Sequence, residues 1–125
     1  MSAACETDFD DWITAGFAAT GPFTLLIVLL RITEHTVEPL RAAHLHVMGD
    51  ETRWPEMAAL LDKAGVAWSG AVFYRAGREG LVEDALARQR LAALTRRLHE
   101  DRSLVGEGEF FNRDGLRLRI EARDG

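Results

Sequence analysis

FTLLIVLLRI, from Phe23 to Ile32, is the stretch on which the reading of this chain turns. It is dense in Leu, Ile and Val, and periodicity alone does not separate a buried strand from a buried helix. Gly21-Pro22 before it, its short length and the threonines after it favour a strand. The run lacks polar alternation, so both of its faces must be covered, which makes it a central strand of a sheet. Either the N-terminal helix or another subunit covers the second face. Ten residues are too few for a bilayer span, which takes about 20.

Upstream, Asp8-Phe-Asp-Asp11 places acids where a helix start favours them. Phe9, Trp12, Ile13 and Phe17 follow as one apolar stripe, and Gly21-Pro22 ends it. Downstream, 33–39 reads as a loop. From Arg41 to Met48 the pattern alternates, with Ala43, Leu45 and Val47 on one side and His44, His46 and Met48 on the other. This is read as a strand; a helix from Thr36 to Gly49 is the competing reading. Thr52 and Pro55 open a second helix with Met57, Leu60, Leu61 and Ala64 as its stripe, and Gly65 stops it. Trp68 to Arg75 is the next strand. Leu81 to Asp101 is the longest helix, with Val82, Leu86, Leu91, Leu94 and Leu98 facing inward and an Asp84–Arg88 pair outside. Leu104 to Phe111 and Leu116 to Glu121 read as hairpin arms around the turn Asn112-Arg113-Asp114-Gly115.

The order αββαβαββ predicts an α+β fold. The expectation is a two-layer sandwich in one domain, 1–125, with about five strands in a mixed or antiparallel sheet and about three helices on one face. Residues 1–7 are expected to be a flexible tail.

The composition fits that size. The chain has 125 residues, 47% of them hydrophobic, and at this length no disulfide or structural metal is needed to stabilise a core. Fifteen basic against 20 acidic residues give a net charge of −5, a poor match for nucleic acid or anionic lipid, and neither is expected as a partner. Cys5 is the single cysteine, so intrachain disulfides and multi-cysteine metal sites are excluded. No signal-peptide pattern is apparent, and the expected compartment is the cytoplasm. The only lysine, Lys63, sits at a polar helix end rather than in a nucleophile's setting.

Phosphate-binding glycine loops, zincin helices and serine-hydrolase elbows are absent. The sharpest constellation is His44-Leu45-His46. On a strand, residues two apart point the same way, so two imidazoles can meet one ion. Glu34 is the leading third ligand, with His35, Glu38, Asp50 and Glu51 as further donors. Two histidines and a carboxylate suit Zn or Fe. The acidic pairs Asp10-Asp11, Asp50-Glu51, Glu83-Asp84 and Glu100-Asp101 read as helix-end and surface charges. Trp54, Trp68 and Tyr74 are candidates for a ligand pocket or subunit contact, with no small-molecule ligand specified. Arg117 and Arg119 are expected to form a salt ladder with Glu107, Glu109 and Glu121.

Two functional expectations follow. One is a self-associating binding or structural module, a homodimer without catalytic signature or resident cofactor, motivated by the apolar central strand and by Trp54, Val37 and Leu40 as exposed apolars. The other is a metal binder or metal-dependent enzyme built on His44 and His46.

Overall fold

A computed structural model describes residues 7–34, 36–49, 51–77 and 80–118. Helix α1 (Asp8–Thr20) leads into β1 (Phe23–Ile32), β2 (Val37–Val47), α2 (Trp54–Asp62), β3 (Gly70–Arg75) and α3 (Asp84–Glu100). A 3₁₀ turn (Arg102–Glu107) and β4 (Glu109–Asn112) complete the described elements. The sheet has the order β2-β1-β3-β4 and is antiparallel throughout. β1 is therefore interior, and Phe23 to Leu30 are all buried, as its uniform apolarity requires.

Residues two apart along β1 divide the core. Phe23, Leu25, Ile27 and Leu29 pack with Phe9 and Ile13 of α1 and with Trp54, Met57 and Leu61 of α2. Val28 and Leu30 turn the other way, onto Leu98 of α3, Leu104 of the 3₁₀ turn, Val72 and Phe110. The expected two-layer sandwich with helices on one face is thus corrected: helices cover both faces, making three layers. A strand apolar on both sides would otherwise leave one face wet.

The reading of 41–48 as a strand holds, and the strand starts earlier, at Val37. Its register on β1 pairs Thr24 with His46 and Leu26 with His44, then slips between Leu29 and Leu30, where Pro39 has no N–H to offer. The third strand begins at Gly70, so Trp68 precedes it and packs among the aromatic residues of the first face. α2 is capped at Arg53 rather than Thr52, and the Glu56 carboxylate accepts the Arg53 N–H at 3.2 Å.

Among the described residues four strands stand where about five were expected. Asn112 to Gly115 form the turn as read, with Asn112 Oδ1 accepting the N–H groups of Asp114 (2.8 Å) and Leu116 (3.1 Å). Gly115 has φ +78°, and a Cβ there would sit 2.5 Å from the Trp54 ring. Beyond the turn the described part of the return arm, to Leu118, makes an isolated bridge, Arg117 to Phe111; 119–121, Arg119 and Glu121 among them, lie outside the described residues. The other arm is shortened because 102–107 coil as the 3₁₀ turn. No helix among the described residues is long and apolar enough to cross a membrane.

Candidate metal centre

His44 and His46 share the face of β2 that α3 covers, because both pair with even-numbered residues of β1. Their rings lie 5.6 Å apart. The side chain that joins them is Asp84, the first residue of α3. Its Oδ1 lies 3.1 Å from His44 Nε2 and 2.5 Å from His46 Nε2. One ligand atom from each residue falls within 4.8 Å of the others, and this is the one such group among the described residues. Both imidazoles are partly buried; the Asp84 side chain is 61% exposed.

A buried threonine fixes the geometry. Thr24 is the polar exception in an otherwise apolar buried run and is 0% exposed. Its Oγ1 accepts the Val82 N–H at 2.9 Å and lies 2.8 Å from His46 Nδ1 and 3.4 Å from the Val82 carbonyl. The hydroxyl has two lone pairs and one proton. When His46 Nδ1 carries the proton, it fills the second lone pair while the hydroxyl proton turns to the Val82 carbonyl. Every partner of the hydroxyl is then satisfied, and Nε2 is the ring nitrogen turned to Asp84, where it can hold either a shared proton or a cation. One side chain thereby ties β1, β2 and the entry to α3 together and orients a donor nitrogen.

The two imidazoles hold the Asp84 carboxyl below the usual carboxylate range, His46 contributing most and His44 next. At 2.5 Å from Oδ1, His46 Nε2 needs a proton between the two atoms, and a cation can replace that proton. Metal–ligand bonds of about 2.0–2.1 Å in tetrahedral geometry set neighbouring ligand atoms about 3.3 Å apart. The 3.1 Å His44 contact is close to that spacing, and the 2.5 Å His46 contact would have to open. Two neutral nitrogens and one carboxylate oxygen suit Zn²⁺ or Fe²⁺ and leave coordination positions open.

The other sequence candidates stand elsewhere. Glu34 lies in the β1–β2 turn, about 20 Å or more from His44 along the strand, and is not in the group. Glu38 pairs with Arg31 at 3.8 Å. His35 and Asp50 lie outside the described residues. The expected Asp84–Arg88 pair is replaced by the Asp84–imidazole contacts. Asp10 is structural: it caps α1 through Thr7 and accepts the Trp54 N–H at 2.7 Å.

The aromatic candidates are packed, not presented. Trp54 is 4% exposed, and its indole N–H donates to the Arg113 carbonyl at 2.7 Å. Trp68, equally buried, donates to Asp62 at 3.0 Å beneath the Arg113 guanidinium. Tyr74 donates its hydroxyl to the Leu104 carbonyl at 2.7 Å, and burial, with Glu107 nearby, pushes its pKa up to about 12. Asp84 is the member of the cluster that sequence reasoning missed. Its local signature is that of a helix start, 38 residues from His46, and only the topology brings it to β2.

No protein-family model, curated protein or solved structure matches the chain.

Proposed function

We propose that this chain binds a divalent transition metal ion through His44, His46 and Asp84, with Zn²⁺ and Fe²⁺ as the ions of matching chemistry. The observation that carries the reading is the convergence of both Nε2 atoms on Asp84 Oδ1, at 3.1 and 2.5 Å, with Thr24 orienting one ring from behind. Three protein ligands leave room for water or a small substrate, so the site fits a binder or a metal-dependent enzyme alike. The observations that motivated self-association have an account within one chain: α3 covers the second face of β1, and Trp54 is buried.

The test is metal content of untagged protein, followed by titration with Zn²⁺ and with Co²⁺ as a coloured reporter. One equivalent is expected, with a raised melting temperature. His44→Ala, His46→Ala and Asp84→Asn should each abolish stoichiometric binding. Substoichiometric metal, together with melting that added Zn²⁺ leaves unchanged, would overturn the proposal and leave Asp84 as a tether between α3 and the sheet.

A further inference from the structure

We infer that the outer edge of β2, from Leu40 to Val47, receives an extended acidic segment of a partner polypeptide as an added strand of the sheet. The sheet order leaves β2 at a margin, and among the described residues no backbone hydrogen bond reaches 40–47 from outside β1. Natural sheets blunt long edges with proline, charge or bulges. β2 carries all three devices in its first half, with Glu38, Pro39, the slip in register and Arg41. From Ala42 onward they stop. Ala42 and Ala43 are exposed methyl side chains, over which another backbone can lie flush.

The ground on either side of this edge matches the alternation of a strand. On one face a shallow, open apolar groove runs between Ala42 and the α3 residues Leu91, Ala92 and Thr95. On the opposite face a second groove runs between Ala43, Leu45 and the end of α2 at Leu60 and Ala64. Successive side chains of an added strand point to opposite faces, so they enter the two grooves in turn.

Charge selects the occupant. Arg88 and Arg96 border the first groove, together with His99, and Arg41 and Lys63 border the second. These four cations are exposed, and none carries an ion pair among the described residues; Glu100 is the acid that shares the border. In a chain of net charge −5 this is a local basic margin. Symmetric pairing with a second copy would set these cations against their own counterparts. An acidic strand meets them favourably.

The probe is a labelled nine-residue peptide repeating Glu-Glu-Val-Val, which places both residue types on each face of an added strand, followed by fluorescence anisotropy. Saturable binding is expected. It should weaken by about tenfold or more when alternate peptide nitrogens are methylated, which removes ladder donors, and by a similar factor in the folded Arg96→Glu, Lys63→Glu variant. A Lys/Val peptide should not bind. Equal binding of the methylated or the Lys/Val peptide would overturn the inference, as would no binding of the Glu/Val peptide. A homodimer in sedimentation that the charge reversal alters, in a chain that does not bind the Glu/Val peptide, would assign the edge to a second copy instead.

Discussion

The two faces of the sheet are built differently, although one strand supplies both. The first is sealed by aromatic side chains: Phe9, Phe73 and Phe111 are at most 1% exposed, with Phe9 against Phe73 at 5.2 Å and against Phe111 at 5.5 Å. Two helices and the 112–115 turn close over it. The second is covered by α3 and by Leu104 of the 3₁₀ turn, and of α3 only Ala87 and Leu98 are buried. There the apolar surface runs from Leu30 and Val72 to Val28 and then gives way to Thr24, His44 and His46. The contrast shows where chemistry fits in a domain this small. Ionisable side chains gather where the core thins out beneath the first turn of α3, so that they keep contact with water while a buried hydroxyl orients them.

The largest effect should come from the sealed face. Phe73→Ala removes a ring held by Phe9, Trp12 and Phe111, and is expected to cost about 4 kcal/mol in urea unfolding. Leu98→Ala, on the thinner side, should cost about 2–3 kcal/mol, because surrounding side chains can settle toward solvent. A Leu98 penalty equal to that of Phe73 would erase the difference between the faces.

The next effect sharpens the comparison at its polar end. Thr24→Val keeps the shape of the side chain but deprives His46 Nδ1 and the Val82 N–H of their partner. Metal affinity should fall about 10–100-fold, and Thr24→Ser should restore most of it. Unchanged affinity in Thr24→Val would show that His46 is oriented by something else.

A smaller effect tests the rim of the α3 face. Tyr74 is the only tyrosine, so a tyrosinate absorbance titration reads it alone. Its midpoint should lie at about 12 rather than 10. A raised phenol pKa means that the unfolded chain loses its proton first. The stabilisation is therefore complete below pH 10 and is lost as pH rises towards about 12. Tyr74→Phe should remove this alkaline decline and cost about 1 kcal/mol through the unpaired Leu104 carbonyl.

Much of this was legible in the amino-acid order. The apolar run 23–32 announced a strand covered on both sides, and the parity of 43–48 put both imidazoles on one face. The third member of the His44–His46 cluster was not legible. Asp84 follows Glu83 at a helix start, where dipole complementarity already accounts for an acid, and nothing local distinguishes it from Asp10 or Asp11. Its role depends on α3 crossing over β2, which is a long-range fact. Trp54 misled for a related reason. Next to a helix start it looked like a rim residue, yet the Gly115 turn, about 60 positions later, closes over its ring. Thr24 carries no signal of its own within the greasy strand, because a buried hydroxyl gains meaning from its partners alone.

The smallest effect concerns the return arm, where one rung of the expected salt ladder stands among the described residues. Arg117 Nη2 lies 3.0 Å from Glu109 Oε1, with both side chains well exposed. Such pairs gain little, since water screens the attraction and two long side chains lose freedom in making it. A double-mutant cycle with Arg117→Ala and Glu109→Ala should give a coupling of about 0.5 kcal/mol. The backbone at this point does more: the Arg117 N–H donates to Asp8 at 2.7 Å, and the Leu118 N–H donates to the Phe110 carbonyl at 2.7 Å. Both bonds persist in an alanine variant. A coupling above about 1.5 kcal/mol would mean that the charges, and not the backbone, hold this arm against the aromatic face. The sealed side would then owe part of its closure to the same ionic contacts that mark the open one.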